Sequence, residues 1–295
     1  MPTLVIASTY AGGGRGPSRL PALPPGVEVV PAVAAGHARA LAAAAGGYDA
    51  VVAAGGDGTA HEIVNGLLSL PSPRPALGLI PVGTGNDVAR NLGLLSPAAG
   101  WAAVVAGVRR PLDIFRIECR RDGRRAVVHG VLNCGIGFGA EVVRRATARV
   151  KRLAGPNAAY AWGLLSAMGS WDSPGLTVRS AAGVWRGPTF FLALGNGALE
   201  SGGTMHLSPG ASMSDGLGNL VRIRRGSKAV ILYHLARGAL ADGTFVDLPQ
   251  VQYVTTPWIE VTAGQPLGIQ SDGDVVGATP CRVTVLRSAI EVLAP

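Results

Sequence analysis

Apolar and polar positions follow two regimes along this chain of 295 residues. In the first 112 residues, the apolar run at 50–54 has the length and bounds of a buried parallel strand, and short strands are expected at 3–8, 27–30 and 77–80. Helical patterns lie between them. An Ala-rich segment at 37–45 stops at Gly46-Gly47, and Ile63, Val64, Leu67 and Leu68 share one face of a second helix. Shorter helices are expected at 88–92 and 101–107. From Asp113 onward, strand-like segments dominate: 113–119, 126–133, 176–179, 189–195, 218–223, 258–262 and 282–286, with Gly, Pro and Asp turns between them. The change of pattern predicts an α/β domain with a parallel sheet over 1–112. A β-sandwich domain over 113–295 follows, its last few residues packing back on the first domain. Two helical stretches interrupt the strands. The one at 141–153 carries Arg144, Arg145, Arg149, Lys151 and Arg152, and the one at 158–168 is apolar with Tyr160, Trp162, Leu164 and Leu165. A basic and then an apolar helix suit a lipid interface or an acyl pocket, and equally suit ordinary caps on a sandwich.

Two strand ends run into glycine loops that carry a carboxylate. Gly55-Gly56-Asp57-Gly58-Thr59 follows the run at 50–54, and Pro81-Val82-Gly83-Thr84-Gly85-Asn86-Asp87 follows the run at 77–80. Strand, glycine turn and helix is how an α/β fold presents backbone N–H groups to phosphate, and glycine lets the backbone come close. A carboxylate there repels phosphate unless a metal ion or a water network lies between them. The pair therefore reads as a nucleotide–metal site at the C-terminal edge of the sheet. A third glycine turn, 10–16, follows the first strand, with Arg15 as its only cation. GxxxxGK[ST] is absent and no lysine precedes Lys151, so this is not a P-loop.

Composition narrows the class. Hydrophobic content of 48% and charged content of 15% describe a folded chain, and no apolar run approaches the roughly 20 residues of a membrane span. The start has no basic region ahead of its apolar run, so a signal peptide is not expected. Cys119, Cys134 and Cys281 are odd in number and far apart, which fits a reducing cytoplasm better than a disulfide or zinc framework. Net charge is +8, of which residues 1–112 contribute +2 (seven Arg against five acids) and the remainder +6. A basic second half suits acidic lipid headgroups, and equally an Arg-rich solvated surface. His61, beside the first carboxylate loop, reads as a helix-surface residue rather than a base. His129, His206 and His234 lack metal spacing, and Glu200-Ser201 is a candidate for the lining of the substrate cleft.

Taken together the motifs resemble the diacylglycerol kinase catalytic-domain family. These are soluble bacterial lipid kinases related to sphingosine kinases and, more distantly, to NAD kinases and phosphofructokinases. Gly55-Gly-Asp-Gly-Thr59 with Glu62-Ile-Val-Asn65, and Pro81-Val-Gly-Thr-Gly-Asn-Asp87 with Ala89-Arg90, resemble the family's nucleotide loops. Asn133-Cys-Gly-Ile-Gly-Phe138 resembles the opening of its lipid-binding domain. Asn196-Gly197, Gly202-Gly203, Pro209 and Ser214-Asp-Gly-Leu217 resemble a later block, and Ser271-Asp-Gly-Asp274 its closing motif.

The resemblance implies an ATP- and Mg²⁺-dependent transfer to a lipid hydroxyl in a cleft between an ATP-binding α/β domain of NAD kinase or phosphofructokinase type and a lipid-binding β-sandwich. By that match Asp272 is the general base, and Asp274, in place of the family's Glu, assists it or binds metal. Asp57, Asp87 and Asp113 organise waters around the nucleotide's Mg²⁺. Gly55, Gly56, Gly58, Thr59, Glu62, Gly83, Thr84, Gly85 and Asn86 line the nucleotide, and Ser8 stands with Thr9 where the family has Asn-Pro in its first loop. Asp215 with the carbonyls of Ser212 and Leu217 matches a structural Mg²⁺ site. The first helix after the opening loop is cut short by Pro17, Pro21, Pro24 and Pro25. The expected partners are a lipid substrate and a peripheral membrane surface, with no nucleic acid, and a homodimer is left open. A kinase of another hydroxylated lipid (a sphingoid base or a phosphatidylglycerol-like headgroup) is the enzyme alternative. A nucleotide-binding regulatory protein without catalysis is the other.

Overall fold

The computed structural model describes residues 1–146, 162–226, 228, 230–231 and 240–295. Strands β1 (Thr3–Ser8), β3 (Ala50–Gly55) and β4 (Ala76–Pro81) are buried almost throughout, as their unbroken apolar runs require. With β2 (Glu28–Ala32) at the edge, they pair parallel in the order β2–β1–β3–β4. Alternate residues serve opposite faces. Leu4, Ile6, Val51, Ala53, Leu77 and Leu79 pack on helices α1 (His37–Ala43) and α2 (Asp57–Leu67). Val5, Val52 and Ile80 pack with Val104 of α4 (Pro97–Ala106) on the other face. A short α3 (Asp87–Asn91) follows β4. Between β1 and β2 there are only two 3₁₀ turns, Ala11–Gly14 and Pro17–Arg19, where the prolines crowd the chain.

The remaining strands are β5 (Arg109–Arg121), β6 (Arg124–Gly130), β7 (Asn133–Ile136), β8 (Gly175–Ser180), β9 (Gly183–Gly195), β10 (Gly218–Arg224), β11 (Val251–Thr256), β12 (Trp258–Ala263), β13 (Gly268–Ser271) and β14 (Asp274–Leu293). Their pairings with one another are antiparallel, so the fourteen-stranded sheet as a whole is largely antiparallel. Six of them close a ring, β7–β9–β8–β12–β14–β13 and back to β7. Ile136, Val178, Leu192, Leu194, Val261, Ile269 and Val283 fill it. Helix α5 (Phe138–Arg145) and a helical stretch at 162–170 meet over Phe138, Met168, Trp171 and Phe190. Arg149, Lys151, Arg152 and Tyr160, named above for a basic and apolar helical pair, lie outside the described residues.

Two strands connect the parallel layer to the ring. β14 pairs with β4 at Val292↔Leu77, and it pairs with β5 along both cores. Near the end of the chain, Leu293 is buried in one cluster with Val5 and Val52.

Candidate active site

The three glycine loops converge at the C-terminal ends of β1, β3 and β4. A Cβ on Gly12 would lie 2.8 Å from the Val82 carbonyl oxygen. A Cβ on Gly83 would lie 2.8 Å from Asn86 Oδ1 and 2.9 Å from the Gly56 nitrogen, so no side chain fits where the loops after β3 and β4 touch. Asn86 adopts a left-handed conformation, φ 57°, and locks its loop by accepting from the Gly83 N–H (2.9 Å) and donating Nδ2 to the Gly83 oxygen (3.1 Å). Thr59 packs its side chain against Gly55, while Gly58 and Thr84 are exposed. Ser8 ends β1, partly buried, opposite Ala32.

Asp57 and Asp87 face each other across Gly85, whose Cβ would lie 2.9 Å from Asp57 Oδ2 and 3.5 Å from Asp87 Oδ2. Asp57 Oδ1 accepts from the Val88 N–H (2.9 Å) and so caps α3, and Asp87 Oδ1 accepts from the Gly203 N–H (3.0 Å). Burial, and then the charge of Asp57, push the Asp87 carboxyl up to about 6. Burial also raises Asp57, with Asp272 adding to the effect. Two carboxylates forced together in this way suit a cation or its bound waters. Among the described residues no three Asp, Glu, His or Cys side chains converge as a metal cage.

Three expected site residues hold other parts of the structure. Glu62 spends its carboxylate on the start of α1, accepting from the N–H groups of Gly36 (2.8 Å), Ala38 (3.1 Å) and Arg39 (3.4 Å). The Gly36 cap offers no side chain for those donors, and Glu62 serves them. Asp113 is wholly buried. Its oxygens accept from the Gly216 N–H (2.6 Å) and the Ser288 N–H (2.7 Å), one backbone donor each. Asp215 lies in an exposed turn with Ser212 and Leu217, and its Oδ1 accepts from the Leu217 N–H (2.9 Å).

Asp272 sits in the turn between β13 and β14 at φ 51°. Its side chain is 2% exposed and accepts four hydrogen bonds. Oδ2 takes the Val131 N–H (2.7 Å) and His61 Nδ1 (2.7 Å), and Oδ1 takes the N–H groups of Leu132 (2.8 Å) and Asn133 (3.1 Å). Burial works against its charge. The His61 bond and charge and the backbone donors outweigh it and hold the carboxyl below its usual range. Asp274 is exposed at the start of β14. His61 is thus no surface residue: α2 aims it across the cleft at Asp272. Asn65, one turn further on, fixes that helix to β6 by donating Nδ2 to the carbonyls of His61 (2.9 Å) and His129 (3.1 Å). The Asn65 and His61 roles depend on β6 and on the turn at Asp272, which no local pattern in α2 reveals.

Glu200 completes the cleft. Burial pushes its carboxyl up to about 8, with the charges of Asp87 and Asp272 adding to the effect, and its Oε1 is buried without a partner. Beside it, Asn91 donates to the Leu199 carbonyl (2.9 Å) and accepts the Leu199 N–H (3.0 Å), which ties α3 to this segment.

Residues 2–117 match the family model of the diacylglycerol kinase catalytic domain, and residues 134–294 match that of the YegS C-terminal NAD kinase beta sandwich-like domain. A protein of Chromohalobacter salexigens named "Probable lipid kinase YegS-like" is 32% identical over 253 residues, 82% of this chain and 74% of that protein. A Bacillus subtilis protein named diacylglycerol kinase is 30% identical over 245 residues, 82% of this chain and 76% of its own length. The crystal structure of a diacylglycerol kinase from Bacillus anthracis superposes with a TM-score of 0.74. It covers 100% of this chain and 97% of that one at 18% identity, a likeness of fold. With both of its family models matched and these relatives spanning most of its length, the chain belongs to the YegS-like and diacylglycerol kinase family of lipid kinases.

Proposed function

We propose that the protein transfers the γ-phosphoryl group of ATP, as its Mg²⁺ complex, to a hydroxyl of diacylglycerol or a related lipid at a membrane surface. The observation that carries this reading is one cleft with two chemically different sides. The glycine loops at Gly55–Gly58 and Gly83–Gly85 present backbone and the Asp57–Asp87 pair on one side, and the His61–Asp272 pair stands on the other. Phosphoryl transfer depends on positioning and charge neutralisation, which loops of this kind supply without a P-loop lysine. When bound, Mg²⁺ neutralises the phosphates, and Asp57 and Asp87 would hold its waters. The proton of the acceptor hydroxyl leaves toward the His61–Asp272 pair, with Asp274 at the mouth. The exposed Ser212–Asp215–Leu217 turn offers oxygen donors alone, a hard set that suits a second, structural Mg²⁺.

The test is transfer from labelled ATP over a panel of diacylglycerol, sphingoid base and phosphatidylglycerol in vesicles. Label is expected on diacylglycerol or a close relative, and Asp272→Asn should abolish it while nucleotide binding survives. ATP binding with no transfer to any lipid would overturn the proposal in favour of a regulatory nucleotide-binding protein.

A further inference from the structure

We infer that His61, through its Nε2, takes the proton of the acceptor hydroxyl, and that Asp272 acts through His61 by orienting it and balancing its charge. The inference rests on the lipid-kinase reading above and deepens it.

An ionised carboxylate offers about four acceptor positions. Those of Asp272 are filled by three consecutive backbone N–H groups, from Val131, Leu132 and Asn133, and by His61 Nδ1. A hydroxyl approaching Asp272 would have to displace one of these bonds. Backbone donors also favour the charged carboxylate and make it a weak base. Its side chain is 2% exposed, against 16% for His61.

The imidazole has the complementary geometry. With Nδ1 donating to Asp272, the neutral ring carries its lone pair on Nε2. Nε2 has no hydrogen bond among the described residues, and the side chain keeps 16% of its surface exposed. A base within reach of the substrate, held in one tautomer by a buried carboxylate, is the general arrangement for proton abstraction from an alcohol.

In the step, the acceptor O–H bond breaks and its proton goes to Nε2. The oxygen's electron pair forms the new O–P bond as the bond between the γ-phosphorus and the β,γ-bridging oxygen breaks, releasing ADP. The imidazolium keeps its Nδ1–H bond to Asp272. The charged groups around His61 are Asp272 and Asp274 from the β13–β14 turn and Glu62 on its own helix. His129 on β6 also couples to it, and His129 itself feels Arg116 of β5 and Arg39 of α1. Burial lowers the imidazole's pKa, but the Asp272 bond and the neighbouring acids outweigh it and raise the ring above 6.5, its ordinary value.

His61→Asn and His61→Gln should lower kcat about 100-fold or more with KM for ATP unchanged, and should shift or remove the acid limb of the kcat profile. Added imidazole should restore part of the His61→Ala rate in proportion to its free-base concentration. In ¹⁵N-histidine spectra of the wild-type protein, Nε2 should titrate while Nδ1 stays protonated. This measurement holds even if a variant misfolds. A kcat within a few-fold of wild type in His61→Asn with the acid limb intact, or spectra showing the Nε2–H tautomer, would overturn the inference. Those results would make Asp272 the base and leave the lipid kinase standing. If the wild-type protein transfers nothing to any lipid, the functional reading itself fails.

Discussion

Glu200 is a carboxyl group held in the cleft with one oxygen lacking a partner, beside Asp87 and Asp272. Its pKa rises from 4.5 in the ordinary case to about 8 because burial disfavours the charged form. Across that interval Glu200 binds more protons in the folded state than in the unfolded one, so its contribution to stability is greatest below about 4.5 and is lost as pH climbs to about 8. Asp87 adds a smaller decline between 3.8 and about 6. Glu200→Gln should therefore flatten the loss of stability by a few kcal/mol, read as a Tm gap between wild type and variant that widens from pH 5 to pH 8. Parallel Tm curves would show that Glu200 is ionised in the folded protein. In the sequence Glu200 is a candidate for the cleft lining, and the family resemblance alone points to Asp272. The sequence carries no sign of what surrounds either group, since the partners of Asp272 lie 139 to 211 positions away. His61 looked like a surface histidine for the same reason.

Element by element, the strand–loop–helix units could be read directly because each is local. Apolar runs, glycine turns and helical periodicity all lie within about twenty residues of one another. Two strands are not legible: β11 is only partly buried over most of its length, and β13 has four residues. Only the middle of β14 was recognised, because Gly277, Pro280 and Ser288 break its pattern. The loops also contain two kinds of glycine that look alike in sequence. Gly83 is needed by the fold, since a Cβ there would push the loop off Gly56. Gly58, in the first turn of α2, has nothing within 4 Å of its Cβ position. Gly83→Ala should cost about 1–3 kcal/mol of stability. Gly58→Ala should raise stability by up to about 1 kcal/mol through helix propensity, yet weaken ATP binding if that open space admits phosphate. Denaturant melts with isothermal titration separate the two. Unchanged ATP affinity in Gly58→Ala would mean that the nucleotide does not approach α2 there.

For the molecule as a whole, the decisive feature is the pair β5 and β14, which runs through both cores. Their register slips between Leu286↔Ile114 and Ile290↔Leu112, a bulge at which Ser288 has φ 48°. Asp113 lies opposite that bulge, where the core lined by Leu112 and Ile114 gives way to the one lined by Phe115 and Ile117. One of its oxygens holds the bulge through Ser288 and the other holds Gly216, so a single carboxylate fixes the point at which the sheet passes from one core to the other. Family resemblance alone assigned Asp113 to the nucleotide's metal, and the two roles predict opposite results. If Asp113 pins the sheet, Asp113→Ala leaves two backbone donors unpaired and should cost about 2–4 kcal/mol. Both cores should then melt together at a lower temperature, followed by Trp101 on α4 and Trp258 on β12, and the folded fraction should bind Mg²⁺-ATP with near wild-type affinity. A metal-organising Asp113 would instead leave the Tm nearly unchanged and reduce Mg²⁺-ATP affinity at least tenfold, about 1.4 kcal/mol. Differential scanning calorimetry and nucleotide titration on the same sample decide between them. Separate transitions for the two tryptophans would count against the continuous strands as the element that couples the cores.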